Sequence, residues 1–260
     1  MLPFLNLGPL ALPTAPLVYL FGVWLALWAV DRAARRLGLD AERHYALATT
    51  AVLAGFIGAR LAFVLLHWSS YDDNLLGIVW PLTSGYSAVG GALIGAAAAV
   101  FYGRWRCLSL WPALDALAPG LLLFLIAVSL ADFLGGAGYG SLTNMPWGVT
   151  VFGVRRHAVQ LYEALVGVVA LGAWWVATSD RVDLRGLGAT GGRRPLRSGR
   201  PFLWAAVVYS GGRLLVDAYR ENAALVSGFH VTQIIALVVL LLALTLLARP
   251  VWQGETQAAE

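Results

Sequence analysis

The sequence predicts an all-α integral membrane protein of seven transmembrane helices, with the N-terminus outside and the C-terminus in the cytoplasm. Three observations carry that prediction. The chain is 59% hydrophobic and 12% charged, with a mean hydropathy of +0.73, whereas soluble domains average roughly 45–50% apolar and about 25% charged residues. Apolar runs long enough to span a bilayer, at about 20 residues each, lie near 11–30, 45–67, 84–103, 112–134, 158–178, 202–218 and 229–248. The arginines, which are the only strongly basic residues because the chain has no lysine, fall mostly on one side of these runs.

The first run, which contains LPTAPLVYLFGVWLALWAV, has no basic residue before it and no small-residue cleavage site after it. It is expected to be a retained span and not a signal peptide. Arg32, Arg35, Arg36 and Arg43 follow this span, Arg104 and Arg106 the third, Arg181, Arg185, Arg193, Arg194, Arg197 and Arg200 the fifth, and Arg249 the seventh. The alternate segments hold only Arg155, Arg156 and Arg220. Cytoplasmic loops collect arginine, so this asymmetry orients the chain. It also reads the net charge of +4 as a topology signal, with no nucleic-acid partner implied.

The chain is expected to form a single transmembrane domain over residues 1–260, with two long connections. Residues 179–201 form an Arg- and Gly-rich cytoplasmic loop suited to an anionic lipid surface, and residues 135–157 form an extracytoplasmic loop. The two halves show no strong repeat, so the inverted-repeat signature of many transporters is missing.

An ionisable side chain at the centre of a span costs at least about 2.5–3.5 kcal/mol on insertion scales, which makes each one a functional candidate. Arg60, Asp115, Asp132, Glu163, Arg213 and Asp217 lie in the predicted spans, and all but Asp115 fall in the outer half. Two arginines partly balanced by carboxylates make an anion cavity at the depth of outer-leaflet phosphates, because a guanidinium can hold phosphate through two hydrogen bonds. Tyr209, Arg213 and Asp217 recur every four residues on one helix face. The rival reading for Arg213 with Asp217, and for Arg60, is an ion pair that only ties helices together. Gly90 and Gly91 open the third span and permit close approach of a ligand or of another helix. His44, His67 and His230 stand at span ends without partners at metal-ligand spacing, and Cys107 is the only cysteine, so no metal site and no cofactor are expected.

Several segments carry a family resemblance. RRHAVQLYEALVG (155–167) resembles the "RHPSQLYEA" motif of bacterial prolipoprotein diacylglyceryl transferases. GARLAFVLLHW is similar to the family's "GGRLGYVLFY", GYSAVGGALIGAAAAVFY to "GGMSFHGGLIG", YSGGRLLVDAYREN to "YGIFRFIIEFFREP", and HVTQIIALVVLLLAL to the closing "SMGQLLSL" span. LGPLALPTAPLVYLFGVWLA looks like the opening span.

The resemblance implies a multi-pass protein of the bacterial inner membrane. Such an enzyme moves the diacylglyceryl group of phosphatidylglycerol, or of another anionic phospholipid, to the thiol of a lipobox cysteine in a lipoprotein precursor, releasing glycerol phosphate. Matching positions give Tyr209, Arg213, Asp217 and Glu163 catalytic roles. They give Arg60, Gly90, Gly91, Gln160, Tyr162 and Asp132 substrate-binding roles. Val89 stands where the family has a histidine before the Gly-Gly pair, Asp132 where "GRIGNFINGE" has its arginine, and Ala15 where the opening span has a tyrosine, with Tyr19 one turn later. If Asp132 lies beside a bound phosphate it must be paired or protonated, and Arg213, Arg60, Arg155 and Arg156 are the partners expected for it. These departures define the alternative reading, a divergent non-catalytic member that binds phospholipid or a partner.

Overall fold

The computed structural model describes residues 4–8, 10–71, 76–79, 85–151, 153–179, 199–221, 225–226 and 229–249. Its main elements are seven long helices, one at each apolar run: α1 (Thr14–Leu37), α2 (Ala41–Leu66), α3 (Ala88–Trp105), α4 (Leu110–Gly135), α5 (Val159–Ser179), α6 (Arg200–Val216) and α7 (Val231–Ala248). All except α6 are long and apolar enough to cross a membrane, and α6, at 17 residues, continues into a 3-10 turn over Asp217–Tyr219. This is the architecture of an all-α membrane protein. Of the Arg- and Gly-rich connection, residues 180–198 lie outside the described residues.

Short antiparallel hairpins decorate the helix ends: β1 (Phe4–Leu7) with β2 (Leu10–Pro13), β3 (Val149–Val151) with β4 (Val154–Arg156), and β5 (Leu225–Val226) with β6 (Phe229–His230). The first of these moves the start of α1 from the expected residue 11 to Thr14. At its other end α1 runs on to Leu37, past the apolar run, because Asp31 accepts two hydrogen bonds of 2.9 Å from Arg35 one turn later. Gly38, with φ of +72°, then terminates the helix in the left-handed conformation that glycine adopts without strain.

By contacts, the described chain forms two compact units. One comprises Val30–Ala113 and is organised by α2 against α3. Their contact is a seam of small residues: a Cβ on Gly90 would stand 2.2 Å from Ala62 Cβ, one on Gly91 2.8 Å from Ala59 Cβ, and one on Gly95 2.8 Å from the Ala51 carbonyl oxygen. Small residues let two backbones approach where lipid offers no hydrophobic drive to association. Asp40 caps α2 through the Arg43 N–H, and Ser87 caps α3 through the Gly90 N–H.

The other unit holds the first part of α1 and everything from Leu114 onward. Within it α5 packs on α6 and α6 on α7. Asp115, near the start of α4 and only 2% exposed, anchors the start of α6: its two carboxylate oxygens accept the Gly199 N–H at 2.6 Å and the Phe202 N–H at 2.9 Å. A buried carboxylate is stabilised there by the unsatisfied N–H groups and positive dipole end of the helix.

Candidate active site

At the opposite end of this unit, the start of α1, the end of α4, the start of α5, the end of α6 and the start of α7 each contribute a polar side chain. Glu163, one turn into α5 and 4% exposed, is the hub. Its Oε1 lies 2.6 Å from Arg213 Nη1 and accepts a hydrogen bond of 2.5 Å from Arg220 Nη2, while Oε2 accepts one of 3.3 Å from the Ser129 hydroxyl of α4. Two guanidinium groups thus share one carboxylate oxygen.

The expected Arg213 and Asp217 pair is formed, with Arg213 Nη2 at 2.8 Å from Asp217 Oδ1. Asp217 is fully buried. Its contact with Arg213 is ionic, with an angle that falls short of a hydrogen bond, so among the described residues neither carboxylate oxygen accepts one. Tyr209 stands one turn before Arg213 on the same helix, within reach of the charges of Arg213, Glu163, Asp217 and Arg220.

Asp132, near the end of α4, accepts a hydrogen bond of 3.1 Å from the Tyr19 hydroxyl of α1, and the cation acting on it is Arg220. None of the four arginines expected as its partner fills that place. Arg155 instead donates to the carbonyls of Pro146 and Gly148, and Arg156 pairs with Glu221 and covers the Tyr139 ring at 4.6 Å.

The chain between α4 and α5 folds over this end. Residues 139–142 run between the segment of Arg156 and His157 at the end of β4 and the turn carrying Tyr219 to Glu221, joined by Gly140 N–H to His157 C=O, His157 N–H to Ser141 C=O, Ser141 N–H to Tyr219 C=O and Glu221 N–H to Tyr139 C=O. Only glycine fits in the middle, because a Cβ on Gly140 would stand 2.6 Å from the His157 carbonyl oxygen. Gln160, 1% exposed, ties α5 to the same layer by donating to the Ala137 carbonyl at 2.6 Å. The Tyr162 hydroxyl is 3.3 Å from His157 Nδ1.

The remaining candidates belong to the other unit. Arg60, 9% exposed, donates to the carbonyls of Ile78, Gly85 and Gly77 at 2.9, 3.0 and 2.5 Å, and lies 5.7 Å from the ring centroids of both Tyr71 and Tyr86. Its fork clasps the connection between α2 and α3. Gly90 and Gly91 serve the α2 to α3 seam. Val89 is 70% exposed.

Arg220, Ser129 and Tyr19 were not among the residues singled out from the sequence as site candidates. A signal for Arg220 was present: it follows Arg213 by seven residues and Asp217 by three, the spacing of one helix face.

A family model described as prolipoprotein diacylglyceryl transferase matches residues 3–249. The chain belongs to the prolipoprotein diacylglyceryl transferase family. Among its relatives, the phosphatidylglycerol–prolipoprotein diacylglyceryl transferase of Thermosynechococcus vestitus is 26% identical, over 96% of this chain and 93% of its own. Those of Symbiobacterium thermophilum and Geobacillus kaustophilus, with the same description, are 28% and 29% identical, covering 97% and 94% of this chain and 95% and 90% of their own. The diacylglyceryl transferase family therefore spans both units, and the Glu163 hub and the Arg213 and Asp217 pair lie within the matched residues.

Proposed function

We propose that the protein transfers the diacylglyceryl group of phosphatidylglycerol to the cysteine thiol of a lipoprotein precursor in the bacterial inner membrane. The observation that carries this reading is the convergence of Arg213 and Arg220 on Glu163 Oε1. In such a reaction the C–O bond to the phosphate breaks, and negative charge gathers on the departing glycerol phosphate. Guanidinium groups fixed in advance stabilise that charge without reorganising at the moment of reaction. Glu163 and Asp217 hold the two arginines in place, Tyr209 offers a hydroxyl beside them, and Gln160 and Tyr162 set the loop layer above the site. In the α2 and α3 unit, Arg60 fixes the connection between the two helices and Gly90 and Gly91 their close packing. Asp132, held by Tyr19, repels excess negative charge and so selects how the headgroup sits.

The deciding experiment is complementation of a strain depleted of its own transferase, read by lipidation of a reporter lipoprotein. Restored lipidation supports the transferase. A second reading, a non-catalytic phospholipid-binding relative, is favoured by the exposed Val89 and by Asp132 at the places of a family histidine and arginine. It is supported instead if the inserted protein binds phosphatidylglycerol vesicles yet lipidates nothing.

In this reading the N-terminus is outside, and Cys107, exposed between α3 and α4, faces the cytoplasm. A membrane-impermeant maleimide should leave Cys107 unlabelled in intact cells and label it in inverted vesicles. Labelling in intact cells reverses the orientation.

Arg213→Lys keeps the charge but loses the planar fork that meets both Glu163 and Asp217. The variant should bind phosphatidylglycerol vesicles at least about tenfold more weakly, as expected for loss of a charged hydrogen bond worth about 1.5–3 kcal/mol. Equal binding would reduce Arg213 to a structural tie.

A further inference from the structure

We propose that His230 is the base that takes the proton of the acceptor thiol, an assignment that rests on the transferase reading above. A thiol attacks carbon as its thiolate, so the site needs a proton acceptor close to the arginines that receive the leaving phosphate. The carboxylates beside those arginines are committed. Glu163 is held by two guanidinium groups and a hydroxyl, Asp217 is fully buried against Arg213, and Asp132 is bound by Tyr19.

Four histidines remain to consider. His44 and His67 lie in the α2 and α3 unit, where each bonds a carbonyl of its own turn. His157 shares a hydrogen bond with the Tyr162 hydroxyl, which leaves its tautomer undetermined, and its ring lies against that of Tyr219 with centroids 5.0 Å apart.

His230 also bonds a carbonyl through Nδ1, but that carbonyl belongs to a residue of the site. It immediately precedes α7, in extended conformation, and its Nδ1 is 2.8 Å from the backbone carbonyl of Asp217. A carbonyl can only accept, so the neutral ring carries its proton on Nδ1 and its lone pair on Nε2. Among the described residues Nε2 has no hydrogen-bond partner, and the residue is only half buried. Gln233, in the first turn of α7, donates to the Leu214 carbonyl at 3.3 Å and pins this end of α7 to α6. The ring is therefore oriented by the same residue whose carboxylate pairs with Arg213.

The step balances as follows. The S–H proton passes to Nε2, sulfur forms a bond to the glyceryl methylene carbon, and the bond from that carbon to the phosphate oxygen breaks. The electron pair leaves with glycerol phosphate, facing Arg213 and Arg220, and the imidazolium returns its proton to the released phosphate or to water.

His230→Asn isolates this role, because the asparagine amide N–H can replace Nδ1 at the Asp217 carbonyl while nothing replaces the basic Nε2. Transfer from phosphatidylglycerol to a peptide carrying a lipobox cysteine would be measured across pH with the full-length protein. Asp217, whose carbonyl holds His230, and the other titratable or charged groups of α6 and its following turn, Tyr209, Arg213, Tyr219 and Arg220, are unchanged, so the ratio of the two profiles isolates His230. The expected result is a kcat at least about 100-fold lower near neutral pH with the KM for lipid unchanged. The gap should narrow by about tenfold or more as pH approaches the thiol's own value of about 8.5, where thiolate forms without help. An active wild type matched by His230→Asn, or a deficit of the same size at every pH, overturns the assignment. A folded wild type that transfers nothing overturns the transferase reading, and the assignment with it. His230→Gln, which likewise lacks a basic nitrogen, serves the same comparison if the asparagine variant accumulates poorly.

Discussion

Replacing Glu163 by glutamine should destabilise the protein by about 3–5 kcal/mol, the range measured when one member of a buried ion pair is removed. The substitution preserves shape and still offers a carbonyl oxygen, but it deletes the charge shared by Arg213 and Arg220, which are 15% and 18% exposed. Two guanidinium groups would then face each other across a neutral amide. A loss of this size lowers the ratio of folded to unfolded protein more than 100-fold, at about 1.4 kcal/mol per factor of ten. It would be read as a lower midpoint for denaturation in mild detergent, together with loss of lipid binding. Removing the second cation as well, in Glu163→Gln with Arg220→Gln, should recover part of the stability, because neighbours sharing a network do not add. A Glu163→Gln midpoint equal to that of the wild type would show that the hub is solvated and contributes little.

Gly95→Val should be comparably damaging for a different reason. Its Cβ would stand 2.8 Å from the Ala51 carbonyl oxygen and 3.3 Å from Gly55 Cα. Both are backbone atoms, so no side chain can turn aside and α2 and α3 must separate. Overpacking costs typically about 1–3 kcal/mol where neighbours can adjust, and more where they cannot. Gly172→Ala in α5 is the control, since a Cβ there meets nothing within 4 Å. It should be neutral, or stabilising by up to about 1 kcal/mol through helix propensity. Equal stability of the Gly95 variant, measured beside this control, would mean that the seam is looser than its distances indicate.

These two sites differ in how far the sequence revealed them. Helices were legible because the requirement for about 20 apolar residues is a one-dimensional signal, and all seven runs became helices. The Arg213 and Asp217 pair was legible for the same reason, as a four-residue spacing on one helix. The hub was not, because the partners of Glu163 come from residues 34, 50 and 57 positions away in sequence, and no local pattern encodes which arginine meets which carboxylate. Arg60 shows the same limit. As a cation inside a span it pointed to an anion, yet its fork is occupied by carbonyls 17 to 25 residues further on. Arg220 was hidden by the segmentation itself: assigned to a loop by its distance from the apolar run, it folds back beside Glu163 because the chain after α6 turns through a 3-10 step. The hairpins before α1 and α7 are too short to leave an alternating pattern.

Asp115 has a consequence for how such a chain can diverge. By accepting the Gly199 and Phe202 N–H groups, it sets where α6 begins from across the bundle and not through the segment that leads into it, and Pro201 in the first turn fixes the same start. The helical register of Tyr209, Arg213 and Asp217 is then counted from a side chain on α4. Insertions and deletions upstream of Gly199 can accumulate without shifting that count, whereas a single residue gained or lost between Phe202 and Tyr209 would rotate the three side chains by about 100° around the helix axis. Length variation among descendants of this sequence should therefore concentrate before Gly199 and be absent between Phe202 and Asp217.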